Sequence, residues 1–273
     1  MAARDPHRFV NELDNEAIGR LITRLESRAK DAVFTKLIEK YSSRLLHDNP
    51  HQVLEVGCGT GAMIRSFVRR DEFTGSAVGV DQSVPFIEAA KSFAEQEHVA
   101  NRLEFRTGDA HHLEFQSAYF DTVIANTLIS HVTDPTRVLE EMARVVKSEG
   151  TVVIFDGDYS SLTYAFPDHE FGRSMDAALA NASFCNPRIM RELPGVLADI
   201  GLRFKTAWGD AVVEIGKASY FKSFAETYAP YVSNSGLMTP SEVENWLYVQ
   251  QQAMESGTFF AACNYYTYLL GRA

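Results

Sequence analysis

Residues 53–63 read VLEVGCGTGAM, an apolar run that stops at three glycines on alternate positions, Gly57, Gly59 and Gly61, and then resumes. A short, continuously apolar run marks a strand buried on both faces. Glycines directly after it let the backbone take φ > 0 and turn into a helix. The strand expected at 52–56 is followed by apolar runs at 76–81 (SAVGVD), 103–110 (LEFRTGDA), 120–126 (FDTVIAN) and 150–158 (GTVVIFDGD). Between them the spacing predicts helices over 62–70 and 83–96, the latter opened by Ser83 with Pro85 near its start. A further helix opens at Asp134-Pro135 and ends at Gly150. Five strands alternating with helices over 50–158 specify an open, doubly wound α/β core with a mostly parallel sheet.

The flanks are of a different kind. Residues 9–47 read as helical, with Val33, Phe34, Leu37, Ile38, Tyr41 and Leu45 at helical spacing before the Asn49-Pro50 stop. After Asp158 the alternation ends. Residues 159–185 are mixed and aromatic-rich, 187–200 predict a helix closed by Gly201, and 203–216 a strand. Two helices follow, the second over 240–256, and 259–270 read as a last strand. The expected organisation is a helical cap at 1–49 and one α/β domain at 50–273. That domain divides into a core at 50–158, acceptor-side elements at 159–256 and a last strand at 257–273. The two helices inserted before the last strand are expected to form a lid with residues 9–47, because sites in such sheets lie at strand C-termini, where insertions accumulate.

Three ligand classes suit a glycine turn at a strand end. A nucleoside triphosphate needs a Lys followed by Ser or Thr after the glycines, and Gly61-Ala62-Met63 supplies neither. A dinucleotide turn has its third glycine one residue later than Gly61. S-adenosylmethionine offers a ribose, an adenine and a zwitterionic end without a phosphate. Asp81 ends the second strand, where a carboxylate accepts from ribose hydroxyls, and Asp109 ends the third, where one accepts from an adenine amino group. Each of these also serves as a cap, so it is the ordered set that carries weight.

The stretches VLEVGCGTGAM, VGVDQS, GDAHHLEF and FDTVIANTLISHV resemble, in order, the motifs of class I S-adenosylmethionine-dependent methyltransferases of the small-molecule type. The resemblance covers 50–158 closely and the ends only generically. It implies a Rossmann-like, seven-stranded, mostly parallel sheet and S-adenosyl-L-methionine as cofactor. It also implies roles: Glu55 orienting the turn near the methionine end, with Gly57, Cys58, Gly59 and Gly61 along the cofactor. Asp81 would hold the ribose with Gln82 beside it, and Gly108, Asp109 and the Ala110 amide would meet adenine. Asn126 and Thr127 would lie near the sulfonium. The methionine carboxylate needs a cation, which Arg24, Arg28 or Lys30 could supply; Arg28 is favoured. His131, five residues past Asn126, is the candidate base, with a cofactor contact as the other role open to it. His111 and His112 read as loop residues near adenine, and Asp156 and Asp158 as turn caps.

A net charge of −10, with no basic run longer than Arg69-Arg70, disfavours nucleic acid and anionic membranes. No apolar stretch approaches the ~20 residues that cross a bilayer. The opening residues, MAARDPHRFVNELDNE, are too polar for a signal peptide. The widely spaced Cys58, Cys185 and Cys263 make a disulfide framework or a metal site improbable and fit a reducing cytoplasm. The aromatic C-terminal third fits a small aromatic or apolar metabolite, as in secondary metabolism. The sequence does not fix an oligomeric state, although an exposed N-terminal helix could pair two copies in a homodimer. Two rival functions stay open, a binding protein that does not transfer a methyl group and a nicotinamide oxidoreductase.

Overall fold

A computed structural model describes residues 5–273. A single 3-10 turn at Val10–Glu12 precedes α1 (Asn15–Lys30) and α2 (Ala32–His47). The helical stretch expected across 9–47 is thus two helices, broken at Asp31. That residue is extended (φ −66°, ψ 132°). Its N–H closes α1 on the Arg28 carbonyl, and its carboxylate accepts from Val33 N–H at the start of α2. One aspartate can end one helix and cap the next because its side chain competes for free backbone donors.

The core then alternates as β1 (Gln52–Val56), α3 (Ala62–Val68), β2 (Ser76–Asp81), α4 (Val84–Gln96), β3 (Leu103–Thr107), β4 (Phe120–Asn126), α5 (Pro135–Val145) and β5 (Val146–Tyr164). It continues with α6 (His169–Ser183), α7 (Ile189–Val196), β6 (Leu202–Gly216), α8 (Tyr220–Ser235), α9 (Pro240–Ser256) and β7 (Phe259–Arg272). Ser83 and Asp134 cap α4 and α5 through their side chains, as the sequence predicts.

The sheet runs in the order β3-β2-β1-β4-β5-β7-β6. β1 pairs in parallel with both β2 and β4, and β7 runs antiparallel to β5 and β6. Val53 joins the apolar core on the α2–α3–α4 face, whereas Leu54 and Val56 join the core on the α5–α7 face, so the sheet is covered on both sides. The direction of strand addition reverses beside β1, which opens a crevice beyond the carboxyl ends of β1 and β4.

Two differences from the sequence-based expectation stand out. β5 begins at Val146 instead of 150 and extends to Tyr164, because beyond Asp158 it pairs with β7 after a bulge, Thr163 facing Ala262. Residues 159–185, left unassigned, contain α6, capped by Asp168. No helix among the described residues is long and apolar enough to cross a membrane.

Candidate functional site

The turn after β1 is held in the left-handed region at all three glycines, with φ +67° at Gly57, +54° at Gly59 and +72° at Gly61. A Cβ at Gly57 would lie 2.4 Å from Leu128 Cδ1, and one at Gly61 2.3 Å from the Phe105 ring. Gly57 therefore lets the loop after β4 close onto the turn. Gly61 lets α3 pack on the sheet, and it faces this packing instead of the adjoining cavity. Gly59 N–H donates to Asp81 Oδ2 (2.8 Å) and Ser83 N–H to Asp81 Oδ1 (2.9 Å). Asp81 thus ties the glycine turn to the end of β2.

A cavity of about 530 Å³ opens over these strand ends, within the ~300–1,000 Å³ typical of small-ligand sites. Of the residues singled out from the sequence, Arg28, Glu55, Gly57, Cys58, Gly59, Asp81, Gln82, Gly108, Asp109, Ala110, Asn126, Thr127 and His131 all line it, and Gly61 does not. Arg24 and Lys30 do not line it either. Arg24 is buried against Tyr220, Phe224 and Tyr228 of α8, with Nη1 donating to Ser223 Oγ (2.8 Å).

Each polar group sits in a defined state. Glu55 is buried, its Oε2 has no hydrogen-bond partner, and burial pushes its carboxyl up to about 8. Asn126 Oδ1 is likewise buried without a partner. Arg28 has no carboxylate partner among the described residues; its Nη2 donates to Thr127 Oγ1 (2.7 Å) and its guanidinium lies over the Phe34 ring. Thr127 itself has φ +53°, a strained conformation for a β-branched residue, held by its N–H on the Phe155 carbonyl (2.6 Å). Burial also raises the Asp81 carboxyl.

Asp109 is largely exposed at its side chain and takes part in a local turn. Its Oδ1 accepts from His111 N–H (2.9 Å) and meets His111 Nδ1 (2.7 Å). His111 lines the cavity, and its Nε2 accepts from Asp134 N–H (3.3 Å). Asp156 is committed to the loop after β4, accepting from Ser130 N–H (2.9 Å) and Gly157 N–H (2.8 Å), while Asp158 accepts from Arg191 Nε (2.6 Å). Gln82 spends its side-chain amide on the carbonyls of His7 (3.1 Å) and Arg8 (3.2 Å).

Those last contacts reveal what sequence reasoning missed. Residues 7–9 line the cavity together with α1 and α2, whereas no residue of α8 or α9 does. The lid expected from the C-terminal insertion reaches the site only at its margin, where Tyr228 OH meets His7 Nε2 (3.1 Å). Asp5 is also missed. It is buried, and its Oδ2 lies 2.7 Å from His131 Nδ1. The local signal for it was the turn-forming pair Asp5-Pro6. Beside His131, Phe184 lies with its ring centroid 5.0 Å away and stacks on Tyr159.

Residues 54–154 match a family described as "Methyltransferase domain". The matched segment runs from β1 into β5 and carries the cavity-lining residues Glu55, Asp81, Asn126 and His131. Over 214 residues the chain is 25% identical to an uncharacterised 37.1 kDa protein in transposon TN4556 of Streptomyces fradiae, covering 78% of this chain and 60% of that one. Over 103 residues it is 40% identical to phosphatidylethanolamine N-methyltransferase of Cereibacter sphaeroides, covering 38% of this chain and 49% of that one. The chain therefore spans about half to three-fifths of these relatives. The crystal structure of the YcgJ protein from Bacillus subtilis superposes with a TM-score of 0.55 at 18% identity, over 85% of this chain and 98% of that one.

Proposed function

We propose that this protein transfers a methyl group from S-adenosylmethionine to an oxygen, nitrogen or carbon atom of a small, aromatic or apolar metabolite. The observation that carries this is the convergence of Glu55, Asp81, Asn126 and Arg28 on one cavity at the ends of β1, β2 and β4, with His131 on its wall. The donor set suits the cofactor. Among the described residues Arg28 is a cation without an acid, and Glu55 and Asn126 each hold a buried acceptor without a partner. Arg28 binds the methionine carboxylate, and Glu55 and Asn126 face the methionine portion. Asp81, its oxygens already oriented by two backbone N–H groups, accepts from the ribose hydroxyls. Asp109 and the Ala110 amide meet the adenine edge, with Cys58 and Gly108 along the wall. When bound, the cofactor supplies an electrophilic methyl group on a sulfonium.

The chain contributes orientation and proton handling. An in-line displacement needs its nucleophile about 3 Å from the carbon it attacks, which is a task of positioning. His131 takes the proton from a hydroxyl or acidic carbon acceptor. Leu25, Phe34, Ile38, Met63 and Leu128 on the cavity lining suit a flat or apolar acceptor. The acidic chain acts on a small molecule and not on nucleic acid. It works in a reducing cytoplasm that keeps its thiols free. The test is production of S-adenosylhomocysteine across a panel of phenol, amine and activated-carbon acceptors, run beside calorimetric titration of the cofactor. Cofactor binding with no turnover on any acceptor favours a binding protein instead.

A further inference from the structure

Asp5 stands 126 residues before His131 in sequence yet lies against it, behind the cavity wall, carried there by the polypeptide that precedes α1. Its Oδ1 accepts from His7 N–H (2.9 Å) and Arg8 N–H (3.3 Å), and its Oδ2 from Cys185 N–H (3.2 Å). Gln82 and Asn11 fasten the same segment to the end of β2, beside Asp81. The carboxylate is therefore held from three sides before His131 is considered.

We propose that Asp5 is a positioning residue for methyl transfer, fixing His131 as the Nδ1–H tautomer so that Nε2 is the proton-accepting atom at the cavity wall. An ionised carboxylate only accepts hydrogen bonds, so the nitrogen 2.7 Å from Asp5 Oδ2 must carry the proton. Burial would raise the Asp5 carboxyl, but His131, with the backbone N–H of Arg8, holds it below its ordinary value, which keeps it ionised. His131 responds in the opposite sense: burial would lower it, and Asp5, assisted by Asp156, raises it.

The groups facing His131 come from every element around it. Asp5 and His7 lie on the N-terminal segment, Arg28 on α1, Asp156 on β5 and Phe184 after α6, with Tyr159 and Tyr228 packed behind Phe184. His7, its ring centroid 4.7 Å from that of His131, is pushed down to about 3 by burial and by the His131 charge, so it stays neutral beside an imidazolium. In the proton transfer the acceptor's X–H bond breaks and an Nε2–H bond forms. The electron pair stays on X, and the new imidazolium rests against Asp5.

Only that last step rests on the methyl-transfer reading; the tautomer is a property of the free protein. The experiment is two-bond 1H–15N spectroscopy of the uniformly labelled full chain, with the His131 signals assigned by His131→Gln. Wild type, Asp5→Asn and Asp5→Glu are each titrated with pH, and affinity for S-adenosylhomocysteine is measured by calorimetry on the same samples. The wild type is expected to show a neutral Nδ1–H form and a midpoint above that of a free histidine. Asp5→Asn is expected to lower that midpoint and lose the single tautomer, and Asp5→Glu to retain both. A His131 midpoint and tautomer unchanged in Asp5→Asn overturn the proposal. So does a loss of S-adenosylhomocysteine affinity with unmoved His131 signals, which would make Asp5 a tether for the N-terminal segment. Absence of S-adenosylhomocysteine binding in the wild type counts against the methyl-transfer reading and leaves the histidine result standing.

Discussion

Replacing Glu55 with Gln should stabilise the ligand-free protein at alkaline pH while weakening its hold on the cofactor. In the fold the Glu55 carboxyl is raised by burial from 4.5 to about 8. A raised carboxyl means that the folded state prefers the protonated form. Its contribution to stability is complete below the unfolded value and declines as pH climbs, because the unfolded chain ionises first. The decline ends once pH passes the folded value. Each unit of difference is about 1.4 kcal/mol, so the interval between 4.5 and about 8 sets a ceiling of about 5 kcal/mol. Between pH 5.5 and 8 the expected loss is about 3 kcal/mol. Glutamine keeps the shape of the neutral acid and does not ionise. Urea unfolding of the ligand-free wild type and Glu55→Gln at several pH values measures the difference directly. The gap between them should widen with pH in favour of the variant, while the variant's affinity for S-adenosylhomocysteine drops. Parallel stability curves would refute the burial of a carboxyl whose Oε2 has no partner.

Asp81→Ala removes the acceptor for Gly59 and Ser83 N–H and for the ribose, so cofactor affinity should weaken by about 1–3 kcal/mol by calorimetry. Unchanged affinity would speak against the ribose assignment. Arg28→Ala should weaken binding of S-adenosylhomocysteine by about 1.5–3 kcal/mol, the range for hydrogen bonds to charged groups, with a smaller effect on adenosine, which lacks the carboxylate. Equal losses for both ligands would remove Arg28 from the carboxylate. His131→Ala should cut turnover by about 10²-fold or more with cofactor affinity nearly kept, and the reverse pattern would make it a cofactor contact.

What the sequence made legible follows the range of the forces involved. The β–α alternation of 50–158 and the caps at Ser83 and Asp134 depend on neighbouring residues, and the fold contains them as expected. The extension of β5 to Tyr164 depends on β7, about a hundred residues later in the chain, and no local pattern announces it. α6 was hidden because its caps and its Gly172 interrupt a run that reads as mixed. Gly61 was expected along the cofactor with its two companions, but its missing Cβ is needed by Phe105. Gln82 lines the cavity beside Asp81 as expected, and its side chain also fastens residues 7 and 8, a contact no local pattern announces. Asp5 and His7 look like ordinary polar residues of an N-terminal stretch. Their positions become meaningful only when the fold places them against His131 and Tyr228.

The most direct test of the central claim is calorimetric titration of the wild-type chain with S-adenosylhomocysteine and, in parallel, with NAD. The geometry of Arg28, Glu55, Asp81 and Asn126 predicts saturable binding of S-adenosylhomocysteine at one site per chain, weakened by about 1–3 kcal/mol in Asp81→Ala. Tight NAD binding with none of S-adenosylhomocysteine would contradict it.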